Sequence, residues 1–255
     1  MPRTVSVHSF RGGTGKSNLT ANLAAILAAS GKRVAIVDTD IQSPGVHVIF
    51  DLDKNSTNLT LNDYLWGRCR IDECVYDVSA ILQDTACPIS QQGAIYLVPS
   101  SIKTGQITRI LSEGYEIGLL NNGLQDIKHR FKLDYLFIDT HPGLNEETLL
   151  SIAISDLLVI VLRPDKQDYQ GTAVTVEVAR KLSVPNMILV VNKALPALDF
   201  NSLSQLVSDT FQVPVAAVLP LCEDMVQLGS SAVFSLRFPD HPFSHKLKDI
   251  AELLV

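Results

Sequence analysis

The chain is poor in the features that mark several protein classes. Among its 255 residues are four cysteines, Cys69, Cys74, Cys87 and Cys222, with no C-x-x-C pair and no histidines at zinc-site intervals. Neither a disulfide framework nor a structural zinc site is expected, and the cysteines read as reduced thiols. No apolar run approaches the about eighteen residues of a membrane span. A long run such as Leu157-Leu158-Val159-Ile160-Val161-Leu162 is strand-sized. Cations are not in surplus: 21 Lys and Arg face 27 Asp and Glu, which argues against an obligate polyanion binder but leaves room for a local basic patch. No Pro/Gly/Ser linker, repeat or low-complexity tract divides the chain. No charged-then-apolar leader precedes the strand that begins at residue 4, so no secretory signal is expected.

What remains is an apolar-rich chain, long enough for one large α/β domain over residues 1–255. Strand-like runs fall at Val5–His8, Val34–Asp38, Ile95–Val98, Tyr135–Asp139, Leu158–Leu162, Ile188–Val191 and Val215–Leu219. Most are continuously apolar, as strands covered on both faces must be. Helical patterns alternate with them. The first, Asn18 to Ser30, stops at Ser30-Gly31. The last, Ser244 to Leu254, sets Leu247, Ile250, Ala251 and Leu254 on one face. The expected architecture is a mainly parallel sheet with helices on both sides. Ligands of such sheets lie beyond the carboxyl ends of the strands.

The chemistry-bearing residues cluster there. Phe10-Arg11-Gly12-Gly13-Thr14-Gly15-Lys16-Ser17 joins a short β-branched run to a helical one, the strand–glycine loop–helix context of a phosphate-cradling P-loop. Glycines let backbone amides approach an anion, and the helix N-terminus adds partial positive charge. Lys16 supplies a cation for β- and γ-phosphates, and Ser17 supplies a hydroxyl for Mg²⁺. Leu136-Phe137-Ile138-Asp139 reads as Walker B, an apolar strand ending in an acid that holds Mg²⁺ through water. Asp38-Thr39-Asp40 ends another apolar strand, where the turning chain lets its two carboxylates take different roles. Asn192-Lys193 ends a further one; position 195 is leucine where a guanine-reading N-K-x-D would have its acid, so ATP is expected rather than GTP.

The P-loop departs from the strict pattern. Phe10 stands at its first glycine, and the Gly-Gly pair is preceded by Arg11. This resembles the deviant Walker A box, K-G-G-x-G-K-[ST], of the MinD/ParA ATPases, with arginine in place of the signature lysine. The resemblance extends through Asp38–Asp40 as switch I, Asp139-Thr140-His141-Pro142-Gly143 as switch II, and the Pro239–Pro242 turn before the last helix. It covers nearly the whole chain.

The resemblance implies a P-loop NTPase fold, with ATP and Mg²⁺ as ligands. Asp40, Lys16 and Arg11 are implied as the catalytic set, Asp40 placing the attacking water and Arg11 facing the partner's nucleotide across a sandwich homodimer. Ser17, Asp38 and Asp139 are implied around the metal. Nucleotide contacts fall on Arg11, Gly12, Gly13, Thr14, Gly15, Lys16, Ser17 and Asn18, on the Gly143 amide near the γ-phosphate, on Asn192 at adenine, and on the base-wrapping Pro220-Leu221-Cys222. His141 reads as a surface or interface residue rather than a general base. The family further implies slow hydrolysis stimulated by a partner protein, ATP-dependent non-specific DNA binding, a cytoplasmic, nucleoid-associated location, and positioning of a cellular cargo. DNA candidates are Arg163, Lys166, Arg180, Lys181 and Arg237. The last helix, with Lys246 and Lys248 offset by Asp249 and Glu252, reads as core-packing rather than as a membrane anchor. A carboxysome-positioning branch also lacks the signature lysine. A regulator of pilus, flagellar or secretion placement and a nucleotide-gated adaptor with little hydrolysis are the alternatives.

Overall fold

The computed structural model describes residues 2–52, 58–83 and 93–255; Cys87 lies outside them. The described residues form an eight-stranded sheet: β1 Arg3–His8, β2 Arg33–Asp38, β3 Tyr76–Asp77, β4 Ala94–Val98, β5 Tyr135–Asp139, β6 Leu157–Leu162, β7 Met187–Ala194 and β8 Val215–Pro220. Their order across the sheet is β3-β4-β2-β5-β1-β6-β7-β8, and every neighbouring pair is parallel except β3 with β4. All seven expected strands are present. The antiparallel edge pair is an addition, because a two-residue strand carries no periodicity to read.

The continuous apolar runs exist because both faces are covered. Alternate residues of a strand point to opposite faces. On one face Val5, Val7, Val34, Ile36, Ile95, Leu97 and Phe137 pack with Leu23 and Leu27 of the helix α1, Lys16–Ala29, and with Leu247, Ile250 and Leu254 near the chain's end. On the other, Ala35, Val37, Leu136 and Ile138 meet Leu120, Leu124 and Ile127 of helix Ile117–Arg130. Leu158, Ile160 and Leu162 on that face meet Val176 of helix Lys166–Lys181 and Val207 of helix Phe200–Phe211.

α1 is buried almost all round, as its Leu- and Ala-rich sequence requires. It ends where Gly31 takes the left-handed backbone at φ 93°, with Lys32 N donating to Leu27 O. The last helix, Pro242–Glu252, lays its apolar face on this layer, so that face is occupied by the core. Among the described residues, no helix is long and apolar enough to cross a membrane.

The sheet register sets the site. β1 lies between β5 and β6; Val7 pairs with Asp139, and Asp38 pairs with the same Asp139 from the other side. The two acids therefore end adjacent parallel strands beside the loop that leaves β1.

Candidate nucleotide-binding site

The loop from Phe10 to Gly15 carries two left-handed glycines, Gly13 at φ 77° and Gly15 at φ 97°. Two of its carbonyls are bonded by residues at the end of β7: Asn192 Nδ2 donates to Thr14 O at 2.8 Å, and Lys193 Nζ donates to Gly13 O at 2.7 Å. No backbone amide from Arg11 to Asn18 donates to a protein group among the described residues. A run of unpaired amides at a helix N-terminus is an anion site. Lys16 is buried at its edge, and its ammonium has no protein hydrogen-bond acceptor among the described residues.

Phe10 needs no glycine backbone, because its φ is not positive. Its ring carbons lie 2.3 Å from where a Cβ on Gly171 would stand, so it docks on a bare spot of helix Lys166–Lys181. Gly15 is the intolerant position. A Cβ there would lie 2.6 Å from Asn192 Nδ2. Gly15→Ala combines left-handed backbone strain of about 1–2 kcal/mol with loss of the Asn192 brace, roughly another 1 kcal/mol. We expect a stability loss of about 2–3 kcal/mol from these two terms in urea unfolding, with weakened nucleotide binding. An unchanged midpoint contradicts the brace.

Asp139 is fully buried; its Oδ2 accepts from Ser17 Oγ at 2.6 Å and its Oδ1 from Thr20 Oγ1 at 3.3 Å. Asp38 is equally buried. Its carboxylate accepts from the amides of Asp40, Gly45 and Val46, which closes the loop after β2. Burial pushes both acids above the ordinary carboxylate range. The charge of Asp139 adds to the rise at Asp38, while Lys16 opposes it at Asp139. Two dry carboxylates side by side, with a hydroxyl between loop and strand, are a hard-oxygen set short of positive charge, and it fits Mg²⁺. Among the described residues, no cluster of three His, Cys, Asp or Glu is arranged to hold a metal unaided.

Other expected residues make contacts within the chain. Asn192 donates to Thr14 O and accepts from Lys193 N at 2.9 Å, so it braces the loop with one N–H and one oxygen lone pair and keeps one of each. Gly143, at φ 89°, directs its amide to Ser9 O at 3.3 Å, so approach to a phosphate requires that long bond to open. Arg11 lies along its own chain, donating to Gln167 Oε1 and standing 4.0 Å from Asp168. Burial pushes the Asp168 carboxyl up, but hydrogen bonds from Arg163 and the charges of Arg163 and Arg11 bring it below the ordinary range.

Sequence reasoning missed His8. It is wholly buried, its Nδ1 2.8 Å from Thr140 Oγ1 and its Nε2 without a partner. Burial, then the nearby charge of Lys16, lower its pKa to about 3, so it stays neutral. His141 is not a free surface residue: its Nδ1 lies 2.7 Å from Asp40 Oδ1.

Beside the loop is a cavity of about 210 Å³ walled by Asn18, Asn192, Pro220, Leu221, Cys222 and Met225, and backed by Phe243 and Leu247. Pro220, Leu221 and Cys222 thus line a cavity next to the loop. Met225 and the final-helix residues complete the wall without any local signal. Elsewhere, Cys69 and Cys74 are free thiols with sulfurs 3.3 Å apart.

An unpaired-amide loop, a buried lysine, and a helix-start serine bonded to a strand-end aspartate define a P-loop nucleotide-binding fold. The AAA domain family model matches residues 2–189, well over half the chain. The chain belongs to that family. An uncharacterized ATP-binding protein of Methanocaldococcus jannaschii, MJ0547, is 26% identical over 263 residues, covering 100% of this chain and 88% of that protein. The fold matches the septum site-determining protein MinD of Pyrococcus horikoshii, solved with Mg-ADP, at TM-score 0.79 and 21% identity, covering 100% of this chain and 96% of that one. It matches Cyanthece apo McdA at TM-score 0.75 and 17% identity, with 100% of both chains covered.

Proposed function

We propose that the whole chain, residues 1–255, works as one ParA-type ATPase that binds Mg-ATP, dimerises around it, hydrolyses it slowly and uses the cycle to place a cargo through a stimulating partner protein. The observation that carries the ATPase reading is the run of free amides from Arg11 to Asn18 beside Lys16, with Ser17 bonded to Asp139. Asp40, at the neighbouring strand end, is the residue assigned to the attacking water. Phosphoryl transfer rests mainly on such positioning and on charge neutralisation.

The dimer assigns Arg11 a second position. Its present contacts, the exposed Gln167 and the buried Asp168, lie in the first turn of helix Lys166–Lys181, and its side chain is 42% exposed. It can leave them for the partner's phosphates, where a planar guanidinium binds oxygens two at a time. Light scattering with Mg²⁺ and a non-hydrolysable ATP analogue tests this. We expect a dimer with the analogue, a monomer with ADP, and a weakened dimer for Arg11→Ala. An Arg11→Ala dimer as stable as the natural one removes Arg11 from the interface.

DNA binding rests on fewer cations than the sequence offers. Arg163 is held by Asp168, Arg180 by the carbonyls of Phe211 and Gln212, and Lys181 by Glu177. The side chains of Lys166 and Arg237 remain exposed, with no hydrogen bond or ion pair among the described residues. Pairing two copies in a dimer would raise the affinity of so small a patch through avidity. A salt-sensitive gel shift on random-sequence DNA with ATP, and none with ADP, is expected. Equal lanes favour a DNA-independent regulator of pilus, flagellar or secretion placement. The likeness to McdA makes a carboxysome the first cargo to test, in a cytoplasmic, nucleoid-associated setting.

A further inference from the structure

We infer that His141 is the positioning residue for Asp40, fastening one carboxylate oxygen so that the other faces the attacking water. The inference rests on the proposed catalytic role of Asp40.

The two residues stand 101 apart in sequence and belong to different loops, yet their side chains meet at 2.7 Å. Asp40 Oδ1 also accepts the Ser43 amide at 3.0 Å, whereas Oδ2 has no protein partner among the described residues. One oxygen is thus held by two donors, and the other keeps its lone pairs. A carboxylate only accepts, so His141 carries its proton on Nδ1. Both side chains are largely sheltered, 20% and 10% exposed, which strengthens the bond and limits competition from water.

His141 is itself fixed. Thr140 before it is tied to β1, its hydroxyl donating to Val7 O at 3.0 Å, and Pro142 after it restricts the backbone. The His141 carbonyl accepts from Thr148 Oγ1 at 3.2 Å, at the start of helix Glu146–Ala153. The imidazole therefore reaches Asp40 from a rigid strand end. The backbone of Asp40 is held in turn, its amide bonded to Asp38 Oδ1. A catalytic group gains most when its orientation is set before substrate arrives. Outer partners that orient a functional side chain typically matter 10–100-fold, roughly, in activity. The pair also links the loop after β2 to the loop after β5, so a shift in either is transmitted to the free oxygen.

Single-turnover hydrolysis of Mg-ATP and calorimetric ATP affinity are measured for the natural chain, Asp40→Ala, His141→Ala, His141→Asn and the double variant. His141→Ala should slow hydrolysis about 10–100-fold with ATP affinity unchanged. His141→Asn, whose side-chain amide can place a donor where Nδ1 stands, should recover most of the rate. The double variant should be no slower than Asp40→Ala alone, because His141 acts through Asp40. A second readout needs no turnover. In ¹⁵N spectra the His141 ring should be Nδ1-protonated, and should change tautomer in Asp40→Ala.

If Asp40→Ala is slow and His141→Ala is as fast as the natural chain, the positioning role is overturned while the ATPase reading stands. If Asp40→Ala itself hydrolyses at the natural rate, it is the role of Asp40 that fails. Equal loss in His141→Ala and His141→Asn, with weakened ATP binding, makes the contact a structural staple and overturns the proposal. An identical tautomer in the natural chain and in Asp40→Ala overturns it as well.

Discussion

Lys16→Ala is expected to abolish tight ATP binding while leaving the fold in place. Each charge-assisted contact to a phosphate is worth about 1.5–3 kcal/mol, and Lys16 is assigned to both β- and γ-phosphates. Loss of both contacts lowers affinity on the order of 10²–10⁴-fold. The lysine is buried, with no protein acceptor for its ammonium among the described residues, so its removal breaks no internal hydrogen bond of the side chain. It does remove the positive charge that opposes the raised pKa of Asp139, and that pKa should climb further. Calorimetry on the variant, with circular dichroism as the folding control, reads the result. ATP affinity equal to that of the natural chain would overturn the P-loop assignment.

Asp40→Ala should bind Mg-ATP and dimerise normally, and hydrolyse on the order of 10²–10⁴-fold more slowly, the usual cost of losing a general base or water-positioning carboxylate. Binding survives because Asp40 belongs to the loop after β2, and its contacts are to Ser43 and His141 rather than to the amides from Arg11 to Asn18. Asp40→Asn is the control, since it keeps an acceptor for the Ser43 amide and loses the charge. Phosphate release from pre-bound ATP checks both variants. Turnover within a few-fold of the natural chain removes Asp40 from the chemistry.

The sheet was legible because its strands obey a local rule. Val34 to Val37 and Leu136 to Ile138 are continuously apolar, and both runs end in aspartate where the chain turns out of the sheet. The glycine loop was legible for the same reason: Lys16-Ser17 directly after Gly15, between a strand and a helix, is a local pattern. What escaped is what depends on distant pairs. Arg11 meets Gln167 across 156 residues, and Asn192 meets Thr14 across 178. Neither has a periodicity to read: Arg11 lies on its own chain, and Asn192 braces the loop. His141 reads as a surface or interface residue because a single histidine in a loop gives no sign that an aspartate 101 residues away lies within hydrogen-bond reach. His8 was overlooked because an imidazole ending an apolar strand looks like one more buried side chain. The helices Thr104–Glu113 and Ile117–Arg130 lie between two expected strands and were not singled out from their sequence.

The most direct test of the account is a single-turnover experiment with γ-labelled ATP and excess protein, with and without Mg²⁺. Binding at the loop, the metal set of Ser17, Asp38 and Asp139, and the water-placing role of Asp40 together predict conversion of bound ATP to ADP and phosphate that requires Mg²⁺ and is lost in Asp40→Ala. Bound ATP that persists unchanged with Mg²⁺ present would contradict the ATPase reading and leave a nucleotide-gated adaptor in its place.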